Sequence, residues 1–219
     1  MQLSFFSTRS ERVAGRLLRS ACAATLALLL AACSTPRAAV YDFGPGLTQG
    51  AAANRMAPLP PVLLAEVDSA SALDGTAMLY RLLYADAQQL RPYAQARWSM
   101  PPAQLLRLRL RELLGQRRSV LGATDAVPPG TLVLRLELEE FSQLFSTAQD
   151  SAALLRLRAT LGRSGSPART LAQTSLVQQQ PSATADAPGG VKALAQASDA
   201  LAAQLDQWLQ QAVAAEGAP

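Results

Sequence analysis

TLVLRLELEEFSQLFSTAQDSAALLRLRATL, residues 131–161, decides the fold. Leu132, Leu134, Leu136 and Leu138 alternate with Val133, Arg135, Glu137 and Glu139. Strand side chains point to opposite faces in turn, so this spacing predicts an amphipathic strand. Leu155, Leu157, Ala159 and Leu161 repeat the pattern against Arg156, Arg158 and Thr160. A turn around Ser146–Ser151 pairs the two antiparallel, with one apolar face and one charged face. Glu139 then meets the Arg156/Arg158 strand on the outside, an exposed pairing worth at most about 1 kcal/mol.

Downstream, Gly162–Ala168 reads as a second hairpin loop and Arg169–Gln179 as a third strand. Pro181–Gly190 is a polar loop. Val191, Leu194, Ser198, Leu201, Leu205, Trp208 and Ala212 then recur at steps of three and four, which predicts a long helix packed on its own sheet. Upstream, Pro128-Pro129-Gly130 separates this half from an earlier one. There Ser99 reads as a helix cap, with Pro101 and Pro102 in the first turn. Leu106, Leu110, Leu113 and Leu114 form the stripe of that helix, which ends near Gly115. Leu105 and Leu108 fall off the stripe's centre, so more than one side of the helix is expected to be covered. Before it, Met78, Tyr80, Leu82 and Tyr84 share a strand face, and a turn at Ala85-Asp86-Ala87 leads into Gln89–Trp98, completing a hairpin. Ala39–Phe43 and Val62–Val67 read as further strands, with a long Ala/Gly/Pro loop between them. Strand blocks punctuated by two helices predict an α+β fold: one domain, a mostly antiparallel sheet and both helices on one face.

The N-terminus has a different character. Arg9, Arg12, Arg16 and Arg19 precede an apolar run from Ala21 to Ala32, and Leu30-Ala31-Ala32-Cys33 closes it. A positive region, a short apolar region and small residues before a cysteine make a bacterial lipoprotein signal. The run is short for a spanning helix, which needs about 20 apolar residues. The expectation is a signal peptide at 1–32, a lipidated tether at 33–38 starting on Cys33, and one domain at 39–215. Ser34 fits sorting to the inner leaflet of the outer membrane, facing the periplasm. Without the leader's four arginines and Glu11, the formal charge falls from +4 to about +1. The basic balance therefore belongs to the leader and gives no argument for nucleic acid. Cys22 lies in the leader and Cys33 is the lipid site, so no cysteine is left for a disulfide.

Catalytic groups are scarce. Histidine is absent, which removes the commonest general base and metal ligand. Gly162-Arg163-Ser164-Gly165 is not a nucleophile elbow, and no serine stands three residues before Lys192. Glu137 and Glu139 share a strand face, but a salt-bridged surface is the expected state of that pair. There is no Gly-rich phosphate loop and no cluster of metal ligands. The expectation is no catalytic site, no metal and no cofactor. The most distinctive local sequence is Arg91-Pro92-Tyr93-Ala94-Gln95-Ala96-Arg97-Trp98. Tyr93 and Trp98 are expected to pack where the hairpin meets the first helix, with Arg97 paired to a carboxylate. The other reading makes Arg91, Tyr93, Arg97 and Trp98 a partner contact, since these types are enriched in interfaces.

Tyr80-Arg81-Leu82-Leu83-Tyr84, Arg91-Pro92-Tyr93, Arg97-Trp98 and Pro101-Pro102 come in an order that resembles the ABC-type transport auxiliary lipoprotein family. So do Leu138-Glu139-Glu140-Phe141-Ser142, Leu155-Arg156-Leu157-Arg158-Ala159 and the Asp186–Gly190 helix start. The likeness spans roughly 39–212. It implies a non-enzymatic adaptor in an Mce-type lipid transport system. The implied partners are a periplasmic Mce-domain protein with its ABC permease and ATPase, and the membrane through the lipid anchor. A homo-oligomer stays open. Two alternatives remain: an envelope regulator touching a cell-wall synthase or Tol-like assembly, and an exported hydrolase using Glu137 or Glu139.

Overall fold

The computed structural model describes residues 37–45, 59–122, 124–165 and 169–217. The leader, Cys33 and Ser34 lie outside these residues. β6 (Leu132–Phe145) and β7 (Ser151–Arg163) form the expected antiparallel pair, and β8 (Arg169–Pro181) adds to β7. β6 is the axis of an eight-stranded sheet. Its other edge is shared by two strands in line. β2 (Val62–Ser69) runs parallel to Leu132–Leu138, and β3 (Ala77–Leu82) runs parallel to Gln143–Phe145. Asp74 and Gly75 lie in the bend between these two strands, which form no hairpin because both run parallel to β6. A 3-10 turn at Ser71–Leu73 carries the chain forward from one strand to the next. β3 turns back into β4 (Asp86–Trp98), as the sequence predicts, and β1 (Ala39–Tyr41) lies parallel to the end of β4. The short β5 (Val120–Leu121), which has no clear sequence signal, pairs parallel with β2. The fold is α+β. The two longest ladders, β6–β7 and β7–β8, are antiparallel, whereas β2 and β3 both pair with β6 in parallel.

The paired glutamates explain how β6 stays amphipathic over 14 residues. Leu138 pairs with Leu157, but the next pair is Glu140 with Arg156. Glu139 is an extra residue, a β-bulge. It shifts the inward phase from even to odd numbers. Leu132, Leu134, Leu136 and Leu138 face the core before it, and Phe141, Gln143 and Phe145 after it; all are buried.

Two helices cover this face. α1 (Pro102–Gly115) packs over β2, and α2 (Ala187–Glu216) over β6, β7 and β8. Ser99 does not cap α1. Pro101 occupies the cap position without a side-chain hydrogen bond. A proline at N1 has no N–H to satisfy, which lessens the need for a cap. Leu105 is buried with Leu106, Leu110 and Leu114, whereas Leu108 is 54% exposed. The helix is covered by β2 on one side and α2 on the next, and Leu108 lies beyond both. The stripe of α2 centres on Leu194, Leu201, Leu205 and Leu209, so Trp208 sits at its half-buried margin.

Candidate interaction surface

Pro92 places its residue on the ladder with Leu79, and the next turn of β4 brings Tyr93 over Tyr80, 4.7 Å between rings. The Tyr93 hydroxyl donates to Gln143 Oε1 at 2.9 Å. Gln143 Nε2 donates in turn to Ser151 Oγ at 2.8 Å and Ser182 Oγ at 3.4 Å. Gln143 is fully buried, and this chain of bonds satisfies it. Burial, then Tyr80 and Asp186, raise the Tyr93 pKa well above its ordinary 10.0. The hydroxyl is held as a neutral donor.

Trp98 ends the segment pointing inward. It is 1% exposed and packs edge-on against Phe43 and Phe141, at 6.0 and 5.5 Å. This agrees with the reading in which Trp98 packs internally, and it leaves Trp98 no surface to offer a partner, which removes it from the alternative contact set. Arg97 is exposed and makes no ion pair among the described residues, so the expected carboxylate is not there. Arg91 is half-buried, its guanidinium held by Gln89 Oε1. The four residues thus divide. Two lie at the surface, one is tied into a polar network, and one is core.

The start of α2 closes over that network. Asp186 accepts from Gly189 N at 2.8 Å and from the Thr184 hydroxyl at 2.6 Å. These bonds, with Lys192, lower its pKa below the usual carboxylate range. A Cβ on Gly189 would stand 2.1 Å from the Thr184 carbonyl oxygen, and one on Gly190 2.1 Å from Gln143 Oε1. The Gly-Gly pair therefore lets the helix end sit on both the loop and the sheet.

Charge is arranged in two ways. On the open sheet face Arg158 bridges Glu137 and Glu139, and Arg81 bonds Glu140 at 3.1 Å. Both carboxylates considered for acid–base work are thus engaged by one arginine. Between the helices, Arg109 grips Asp199 with two bonds, at 2.6 and 2.9 Å, while Arg117 and Arg118 converge on Asp206. Asp199 and Asp206 are two turns apart on α2, while Arg109 lies on α1 and Arg117 and Arg118 just past its C-terminal end, so α1 and α2 lie side by side in the same direction. The Arg118 side chain is 1% exposed. Nothing in Gln116-Arg117-Arg118 announces a buried ion cluster, because its counter-charge lies 88 residues away. Beside it a groove of about 440 Å³ is lined by Leu113, Arg117, Ala203, Asp206 and Gln207. A second, of about 190 Å³, lies between β1 and α1, with Phe43, Met100, Leu105 and Leu108 in its walls. Among the described residues no group of three or more His, Cys, Asp or Glu is placed to hold a metal. None of the described helices is long and apolar enough to cross a membrane.

One surface feature escapes sequence reasoning. β3 ends at Leu82, so Tyr84 does not continue the strand face on which the alternation puts it. Leu83 and Tyr84 form the tip of the β3–β4 hairpin, 42% and 54% exposed. The only sequence signal is the apolar character of a segment running directly into a turn.

The family model for the ABC-type transport auxiliary lipoprotein component matches residues 41–206. The chain belongs to this family. The match runs from the end of β1 to the Asp206 cluster on α2 and so takes in nearly every element of the fold. Among solved structures, protein XCC0632 from Xanthomonas campestris is similar at 20% identity, over 81% of this chain and 98% of that one, with a TM-score of 0.66. A second crystal structure, of an uncharacterized protein, is similar at 14% identity, over 80% of this chain and 99% of that one, with a TM-score of 0.59. At these identities the likeness is one of fold. No curated protein matches.

Proposed function

We propose that this family member is a lipid-anchored, non-enzymatic auxiliary subunit of an Mce-type ABC lipid transport system in the cell envelope. Cys33 carries the acyl groups and holds the domain at the inner leaflet of the outer membrane. The domain docks the periplasmic Mce-domain protein, whose permease and ATPase supply the energy. The observation that carries the reading is the family match over residues 41–206. The Leu30–Cys33 motif supports the anchor. The absence of histidine from the sequence, and the engagement of Glu137 and Glu139 by Arg158, support a binding role over a hydrolytic one.

In-cell cross-linking followed by purification of the lipidated protein tests this directly. The Mce-domain protein is expected among the captured chains, and Cys33→Ser is expected to move the protein out of the membrane fraction. Capture of a cell-wall synthase without any Mce-domain protein would overturn the transport reading in favour of an envelope regulator.

A further inference from the structure

We infer that the tip of the β3–β4 hairpin, Leu83 and Tyr84, rests in the interface of the bilayer that holds Cys33. The inference depends on the lipid anchor proposed above. Large apolar side chains left exposed among the described residues are Val40, Leu83, Tyr84, Leu108 and Val177, and only Leu83 and Tyr84 are adjacent. They are also rigidly presented. Leu83 N donates to Phe145 O at 2.9 Å and Ala85 N to Leu82 O at 3.0 Å. The Arg81 guanidinium bonds the carbonyls of Ala87 and Gln88 across the turn. Leucine with tyrosine suits the headgroup boundary, where an aromatic ring with a polar end is favoured.

Strand direction and chain length supply the occupant. Arg97 is in register with both Val40 of β1 and Ala77 of β3. β1 runs parallel to β4 and β3 antiparallel, so β3 advances from that row toward the side from which β1 enters the sheet. From Ala77 to Leu82 is five residues of strand, about 17 Å. Cys33 lies six Cα steps before Ala39, so the anchor is at most about 20 Å from the start of β1. The reach of the tether therefore matches the offset of the tip. The β6–β7 turn, Ser146–Asp150, projects from the same end of the sheet, so a bilayer holding Cys33 on the entry side of β1 meets both turns, and of the two only the β3–β4 tip offers large apolar side chains.

Charge around the tip gives electrostatic attraction to anionic lipid little to act on, since Arg91 keeps its charge beside neutral Gln89 but Asp86 and, on the adjoining β6–β7 turn, Asp150 are both exposed. Arg81 is committed to Glu140. The contact is apolar and insensitive to salt.

The test uses the full lipidated protein in vesicles of phosphatidylethanolamine and phosphatidylglycerol. Cys33 is blocked by its thioether, so Leu83→Cys, Tyr84→Cys or Val177→Cys each introduces the single free thiol for an environment-sensitive fluorophore. Labels at 83 and 84 are expected to shift to the blue and to be quenched by nitroxide lipids, at low and high salt alike. The label at 177 is expected to do neither. Spectra at 83 and 84 matching that at 177 would overturn the inference. So would a blue shift that arises only when an Mce-domain protein is added, which would make the tip a protein contact. Intact mass separates the two readings. With the diacylglyceryl mass present and the tip labels in water, the anchor stands and the tip contact falls. With no lipid mass, both fall.

Discussion

Gly189 is specified by the carbonyl of Thr184, which occupies the space a side chain would need. Gly189→Ala forces backbone apart and is expected to cost about 1–3 kcal/mol in urea unfolding, as overpacking commonly does. Asp206 is specified by two guanidinium groups. Asp206→Ala leaves Arg118 buried without a counter-charge, and a loss of about 3–5 kcal/mol is expected in the same measurement. Arg158→Ala, on the open face of the sheet, is expected to cost under about 1 kcal/mol. Equal losses for the two variants would refute this division of the charges. Tyr93 adds a pH dependence. Its folded pKa is raised, so its contribution is complete below the unfolded value of 10.0 and disappears as pH climbs through the higher folded value. Thermal melts between neutral and strongly alkaline pH are expected to show a loss starting near pH 10 that Tyr93→Phe removes. At this scale the sequence announces the aromatic segment but not its division. Arg91 and Trp98 look equally fit for a partner until the sheet turns one of them inward.

The element that organises the molecule is β6, and its bulge makes an unusual prediction. Deleting Glu139 leaves Leu138, Glu140 and Phe141 in regular alternation, so the protein is expected to remain folded by near-UV circular dichroism. Deleting Glu137 instead places Leu138 outward and Glu139 inward. The buried carboxylate is expected to cost about 3 kcal/mol or more, or to prevent folding. If both deletions behave alike, the bulge has been misassigned. At the start of α2, Asp186 is the cap, and Asp186→Ala is expected to cost about 1 kcal/mol at neutral pH. Its pKa is lowered, so this difference holds above the ordinary carboxylate value of 3.8 and fades as pH falls through the folded value. Denaturation of both forms across that range checks it. The strands of this half are legible in sequence because alternation is a local property. The cap of α1 is not, since Ser99 and Pro101 both suit a helix start and backbone geometry alone chooses between them.

Across residues 38–217 the parts depend on one another. α2 touches α1, β6, β7 and β8, and Arg163 ties the end of β7 to Glu216 with bonds of 3.0 and 2.7 Å. No disulfide assists, so a shared apolar core must hold the layers together. One cooperative unfolding transition is expected, with coincident near- and far-ultraviolet curves. The sequence by itself determined the α+β class, the long antiparallel ladders and the core-facing leucines. Each of these is written in periodicity or composition over a few neighbouring residues. Tertiary structure alone decided that β2 and β3 share one edge of β6 in parallel, that Asp206 neutralises a buried arginine, which of the two readings of Trp98 holds, and that Leu83 and Tyr84 stay outside the core. Those outcomes depend on groups tens of residues apart meeting in space, and local spacing carries no record of which distant partner a side chain will find.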